Sequence, residues 1–287
     1  LIGVYDSGFG GLSVLRALRE TLPNYDFIYL GDSGRAPYGG RNSHTILDFA
    51  EQCTERLFAE GCRLIIVACH TVSCVALRHL QRRYTTDNDR YRILGVTIPA
   101  AEAAVEISRG HIGVIGTTRT ISSGTFRLEI EKLENPANHT HRKVYGHPAP
   151  LLAPIVEEGW EGSEIANLAV KKYVSMFPQI DTLVLACTHY PLLISAFRNA
   201  IEGNVELLDP SPHVAKKLAQ WIDRHPGYTH PGTGSLKILC TGDPSTFRHH
   251  GQRFLGTELP AVQHIAEEQG RLASRDRVRV DVGQVVR

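Results

Sequence analysis

The chain has 287 residues, 42% of them hydrophobic and 21% charged, with a formal charge of +1 at pH 7. Such a length allows about two domains with ordinary buried cores, and the balance of 31 basic against 30 acidic residues argues against nucleic acid or an anionic membrane as the main partner. No apolar run approaches the roughly 20 residues that span a bilayer, no charged-then-apolar leader is expected although the sequence starts at Leu1 rather than Met, and the six scattered cysteines are not a disulfide framework, so a cytoplasmic protein with reduced thiols is expected.

Residues 1–16 read as strand, Gly-rich turn and helix, with Leu12, Leu15 and Leu18 starting a helical stripe. Such a turn resembles a dinucleotide site, and Asp32 follows the next strand, 26–30, about where a ribose-binding acid would sit. Against that reading, the glycines run G-x-G-G, and Asp6 would set a carboxylate where a pyrophosphate needs positive potential. Asp6 and Ser7 either line a small polar site at the strand end or simply cap the helix. The loop at 31–45, rich in Gly, Pro, Ser and Asn, offers Pro37, Tyr38 and Gly39 as a rigid backbone with one phenol for a small ligand. A helix over 46–60 follows.

The run Leu64-Ile65-Ile66-Val67-Ala68-Cys69-His70-Thr71 has the β-branched, uninterrupted character of a parallel strand buried on both faces. Its carboxyl end is where an open α/β sheet places its chemistry. Helical spacing over 73–84, a strand at 92–97 and a helix from Pro99 to Arg109 come next, and then Ile112-Gly113-Val114-x-Gly116-Thr117 echoes Ile2-Gly3-Val4-x-Asp6-Ser7. Residues 135–154, with His139, His141 and His147, read as a solvent-facing connection rather than a metal site, because no carboxylate is paired with them. A helix over 163–176 leads to Thr182-Leu183-Val184-Leu185-Ala186-Cys187-Thr188-His189, a second aliphatic run ending in Ala-Cys, 118 positions after the first. The opening echo recurs at an offset of 110, close enough to point to an internal duplication. Helices at 192–201 and 213–222, a strand at 206–208, another at 236–240 and a helix from Asp243 complete the pattern, and the Arg-rich tail from Arg271 shows only Val alternation.

The expected fold is therefore α/β, with two similar doubly wound parallel-sheet domains related by pseudo-symmetry and the active site in the cleft between them. Residues 1–96 plus 207–287 would form the first domain and 97–206 the second. Either cysteine alone is most simply a small core hydrophobe. Two in matching contexts, each beside a hydroxyl and an imidazole, point to paired chemistry.

The motifs DSGFGGLSV, APYG, VACHTVS, IGVIGTTRTISSGTF, PIVEEGW, ACTHYPLL and TGDPSTFRHHGQRFLG run through the chain in order, and in these it resembles the glutamate racemases of the aspartate/glutamate racemase superfamily. The resemblance implies a cofactor-independent enzyme, usually a homodimer, that makes D-glutamate for peptidoglycan. It identifies Cys69 and Cys187 as the catalytic pair and Asp6, Ser7, Pro37, Tyr38, Gly39, Thr71, Thr117, Thr120, Thr188 and His189 as substrate-contacting or supporting positions, with Glu157 as a supporting acid. The family has Asn directly after the first cysteine. His70 stands there in this chain, where it either replaces the Asn as a donor, alters the site, or helps ionise Cys69.

Racemisation without a cofactor removes an α-proton from one face and returns one to the other, so one thiol must be ionised while its counterpart is protonated. A free Cys is mostly protonated at neutral pH, and Asp6 near Cys69 and His189 near Cys187 would take and return protons. Hydroxyls of Ser7, Thr71, Thr117 and Thr188, with backbone N–H groups, would hold the α-carboxylate and the developing charge. The alternatives are an aspartate, hydantoin-type or other racemase of the same superfamily, a decarboxylase, which the presence of both cysteines weakens, and a non-catalytic two-lobed binding protein. A zinc site from Cys69, Cys74, Cys187 and His189 has poor ligand spacing.

Overall fold

The computed structural model describes residues 1–86, 88–134, 142–268 and 270–272. Both aliphatic runs become central parallel strands, as expected of segments with no polar face to turn to water. The first sheet contains β1 (Ile2–Asp6), β2 (Phe27–Gly31), β3 (Leu64–Val67), β4 (Arg92–Gly95), β9 (Leu236–Cys240) and β10 (Val262–His264), in the order β10-β9-β2-β1-β3-β4. The second contains β5 (His111–Gly116), β6 (Lys143–Pro148), β7 (Thr182–Ala186) and β8 (Glu206–Leu208), in the order β6-β5-β7-β8. Every pairing within these two sheets is parallel.

The second sheet repeats the winding of β2-β1-β3-β4: the second strand lies to one side of the first, and the third and fourth to the other. In each sheet the order thus reverses between its first and third strands, at β1/β3 and at β5/β7, and such a switch point leaves a crevice beyond the strand ends. The register pairs Tyr5 with Val67 in one sheet and Gly116 with Ala186 in the other. Asp6 and Cys69 therefore emerge at one crevice, and Thr117 and Cys187 at the other.

Helices α1 (Leu12–Thr21), α2 (Ser43–Ala59), α3 (His70–Val75) and α4 (Leu77–Tyr84) follow strands of the first sheet, and α5 (Thr97–Ile107), α6 (Thr118–Ser122), α7 (Thr125–Leu133), α8 (Leu152–Glu157), α9 (Glu164–Val174) and α10 (Ile194–Ala200) belong with the second. Of the closing helices, α11 (Pro210–Arg224) packs on both α1 and α5, bridging the sheets, while α12 (Pro244–Leu255) packs on α1 and β10. One apolar cluster runs without interruption from Val4, Leu15 and Phe254 to Leu152, Leu185 and Tyr190, so the two lobes share part of their core. No described helix is long and apolar enough to cross a membrane.

Several elements differ from the sequence reading. The single helix expected over 73–84 is two, α3 and α4, divided at Ala76. The 135–154 connection contains strand β6, which a Gly and a terminal Pro obscure in the sequence and whose half-exposed position at the sheet edge tolerates polar residues. His147 lies on β6, edge-on to Phe177, whereas His139 and His141 fall outside the described residues. Because β8 pairs with β7, Leu207 and Leu208 lie in the second sheet rather than with the first. Of the Arg-rich tail only Arg271 and Leu272 are described, paired with Glu267 and Glu268 in a small antiparallel ribbon.

Candidate active site

Cys69 leaves the end of β3 as the residue preceding α3, only 5% exposed, and its thiol donates to the Ser7 hydroxyl at 3.5 Å. Burial pushes its pKa up to about 12, with the Asp6 carboxylate adding to the rise and the Cys187 sulfur contributing in the same direction. Asp6 is wholly buried at the end of β1, where its Oδ2 accepts the Gly8 amide at 3.0 Å while Oδ1 has no partner. Burial raises its pKa even against the opposing pull of His189.

Cys187, 7% exposed, leads out of β7, and its sulfur lies 3.8 Å from His189 Nδ1. The other ring nitrogen, Nε2, is 2.9 Å from Glu157 Oε1 at the end of α8. Burial alone would depress the imidazole, but its bonds to Cys187 and Glu157 outweigh that and push its pKa up to about 10. An imidazolium held between the Cys187 sulfur and the Glu157 carboxylate sets a positive charge beside that sulfur. The two thiols thus have unlike companions, a buried carboxyl on one side and a cation on the other.

Threonines join the two lobes close in sequence to Cys69. Thr71 Oγ1 of the first lobe lies 2.9 Å from Thr117 Oγ1 and 3.2 Å from Thr120 Oγ1 of the second, and Thr117 and Thr120 are 3.0 Å apart. Thr117 is also the cap of α6, accepting the Thr120 amide. Ser13 on α1 donates to the Thr188 carbonyl at 3.1 Å. The Gly39 carbonyl accepts the Arg119 amide at 3.0 Å, which docks the loop containing Pro37 onto α6. At Gly10 a Cβ would come within 2.5 Å of Thr188 Oγ1 and 2.6 Å of His189 Nδ1, so only glycine lets the turn after β1 approach the second lobe this closely.

Two sequence expectations change, those for Tyr38 and His70. The Tyr38 phenol does not face the cleft: it is buried, with its hydroxyl donating to Asp32 and the Tyr5 hydroxyl reaching it at 3.2 Å. Asp32 is no ribose ligand either, since it accepts two bonds from Arg35 Nε, at 2.9 and 2.8 Å, and one from the Thr241 hydroxyl at 2.7 Å. His70 is buried and stacked on Phe126 at 5.9 Å, its Nδ1 without a partner. Burial lowers its pKa to about 3, so it is neutral and cannot favour a Cys69 thiolate by charge. Among the described residues no three His, Cys, Asp or Glu side chains are placed to hold a metal ion.

The sequence reading missed the aromatic wall on His189. Phe9, in the Gly-rich turn, lies 6.1 Å from the imidazole, and Phe254 of α12 stands edge-on to it at 5.3 Å. The recurrence of Phe247, Gly251 and Phe254 on one helical face was the available signal.

A sequence profile of the Asp/Glu/Hydantoin racemase family matches residues 4–218. The chain is 37% identical over 260 residues to a glutamate racemase of Aquifex aeolicus, covering 90% of this chain and 95% of that protein. It is similar in structure to a Francisella tularensis glutamate racemase solved in complex with D-glutamate, with a TM-score of 0.82 and 32% identity, covering 92% and 96% of the two chains. A Thermus thermophilus glutamate racemase in complex with β-chloro-D-alanine gives a TM-score of 0.81 and 34% identity at the same coverage.

Proposed function

Because the chain belongs to the Asp/Glu/Hydantoin racemase family, we propose that it interconverts L- and D-glutamate by proton transfer between two thiols, supplying D-glutamate for peptidoglycan. The observation that carries this reading is the pair of buried sulfurs, Cys69 and Cys187, at the switch points of two like-wound sheets whose lobes meet where Thr71 Oγ1 lies 2.9 Å from Thr117 Oγ1. The domain division of the sequence reading, with the first lobe taking both ends of the chain, is part of the proposal, its second boundary moved to follow β8.

In the proposed reaction the Cys187 thiolate removes the α-proton of one enantiomer and becomes a thiol. The Cys69 thiol then delivers its proton to the opposite face of the carbanion and is left as thiolate. The reverse direction exchanges these roles. His189, steadied by Glu157, holds or releases a proton beside Cys187, and Asp6, with an unpartnered oxygen, does so beside Cys69. Ser7, Thr71, Thr117, Thr120 and Thr188 would hold the substrate's polar groups, with the Pro37-Tyr38-Gly39 backbone as one wall. His70 contributes a neutral imidazole with a free nitrogen, in place of the family's amide. Hydrogen-bond donors fixed in a buried site stabilise developing charge without reorganising.

Glutamate is favoured over aspartate because the relatives identical at about a third of their positions are glutamate racemases. Two further proposals rest on surface and thiol chemistry. The exposed apolar side chains Leu151, Trp160, Ile165 and Leu168, along α8 and α9, support a homodimer. Six free cysteines support the cytoplasm as the place of action.

The test is solvent-deuterium exchange at the α-carbon of L-glutamate, D-glutamate and L-aspartate, each followed by chiral analysis. Wild-type protein should exchange and racemise glutamate. Cys69→Ala should lose racemisation by at least about a hundredfold, the range for removal of a positioned acid or base, while retaining one-sided exchange on one enantiomer. Full racemase activity in Cys69→Ala, or tight glutamate binding with no exchange in the wild type, would sink the proposal.

A further inference from the structure

Glu157 occupies the last turn of α8, and that turn is closed by two backbone bonds, Trp160 N–H to Ile155 O and Gly159 N–H to Val156 O, both 3.0 Å, with Gly159 at φ +77°. This is the usual glycine-terminated end of a helix. The Val156 carbonyl accepts a second bond, at 2.6 Å, from Arg253 Nη2, and the same nitrogen lies 2.6 Å from Glu161 Oε2 just beyond the turn. Arg253 belongs to α12, which packs on α1 and β10 of the first lobe, and it lies beyond the stretch matched by the family profile. Its neighbour Phe254 covers the edge of His189, while Phe9, 5.7 Å from Phe254, fills the space alongside. Consecutive residues of one helix therefore reach His189 itself and the turn that bears Glu157.

We propose that Arg253 is a positioning residue: by tying the Glu157-bearing turn of the second lobe to α12 of the first, it holds Glu157 against His189 Nε2 when the lobes are closed. This deepens the racemase reading and rests on it for its consequence in catalysis. A guanidinium at the carbonyl end of a helix is also favourably placed against the helix dipole. The charged and titratable groups around His189 are Cys187 at Nδ1, Glu157 at Nε2, Asp6 from the end of β1 and, from α12, Arg253 with its partner Glu161, and His250, which stacks on Phe9.

The sign of the effect separates positioning from simple electrostatics. Removing a nearby positive charge and nothing else would raise the His189 pKa. Releasing Glu157 would lower it. In the full chain without substrate, an NMR titration of His189 in Arg253→Met should show the pKa reduced by about one unit, a tenfold change in proton affinity, with Arg253→Lys close to wild type. The alkaline limb of the racemisation rate should move down by the same amount, with kcat changing more than KM. In a Glu157→Gln background the Arg253→Met substitution should add no further shift, since both act on one interaction. An unchanged or raised His189 pKa in Arg253→Met would overturn the proposal. Should that variant fail to fold, Arg253→Gln carries the test: it removes the same positive charge, so electrostatics alone again predicts a raised His189 pKa and loss of the tie a lowered one, with a raised or unchanged value counting against. Because the titration needs no turnover, a wild type that fails to racemise would refute the racemase reading without obscuring this result.

Discussion

Replacing Asp6 by Asn should make Cys69 easier to ionise while making the enzyme slower. The Cys69 thiol is pushed up to about 12, first by burial and next by the Asp6 carboxylate. At pH 8 that leaves a thiolate fraction of about 10⁻⁴, against about 10⁻¹ for a thiol at its ordinary value near 9. A like charge close to a titrating group shifts it by about one to three units, so Asp6→Asn should raise the thiolate fraction by about tenfold or more. The assay is alkylation by iodoacetamide with mass-spectrometric counting of the Cys69 peptide from pH 7 to 11. In the wild type its rate should climb tenfold per pH unit across the whole range. In Asp6→Asn the rate should lie about tenfold higher up to about pH 10 and begin to level off above it, with racemisation reduced because the carboxyl no longer takes up and returns the proton. Buried Cys62, whose pKa burial also brings to about 12, reports any general loosening of the fold. If Cys69 alkylation in Asp6→Asn matches or falls below the wild type, or if Cys62 accelerates equally, the account of Asp6 as the local source of negative potential is wrong.

Two further expectations concern stability against pH. His70 is held neutral with a pKa of about 3 against an ordinary 6.5, so its contribution is complete above pH 6.5 and is lost as pH falls toward 3. The slope is at most about 1.4 kcal/mol per pH unit for one proton, and thermal unfolding of His70→Asn should show a flatter acid limb. His189 has the opposite sign. Raised to about 10, it contributes fully below pH 6.5 and ceases to do so as pH rises through 10, and Glu157→Gln should flatten that alkaline limb in the same unfolding experiment. A Glu157→Gln variant with an unchanged alkaline limb would remove the case for an ion pair at Nε2.

The central strands were legible in the sequence because β3 and β7 are buried on both faces, so their local composition and their tertiary setting agree. Cys69 and Cys187 were legible for the same reason, being the first residues past runs that have only one plausible conformation. Edge strand β6 was not, since a strand half open to solvent has no strict pattern to keep. Nor was the fate of Tyr38. Its loop position suggested a ligand contact, whereas a carboxylate at Asp32 already neutralised by Arg35 makes the interior the better place for its hydroxyl. Arg253 was the hardest to foresee: its acceptor at Val156 is a backbone carbonyl, which every residue has and no sequence distinguishes.

The unlike surroundings of the two thiols do not make the reaction directional. L- and D-glutamate have equal free energies in water, so the ratio of kcat/KM in the two directions must equal the equilibrium constant of one, whatever the protein does. What the asymmetry governs is the form in which the free enzyme rests. His189, raised to about 10, is an imidazolium at neutral pH, whereas burial and Asp6 favour thiol at Cys69, so the free protein carries its cation on the Cys187 side, which the proposed mechanism makes the side set to deprotonate. In that mechanism substrate of the other hand must first meet, or induce, the reverse protonation state, and that extra step has to be balanced by tighter binding or faster proton transfer of that enantiomer if the two kcat/KM values are to remain equal. In the proposed mechanism any difference in kcat between the two enantiomers is therefore matched by an equal ratio in KM, and the groups that would set it are Glu157, His189 and Asp6 rather than the sulfurs themselves.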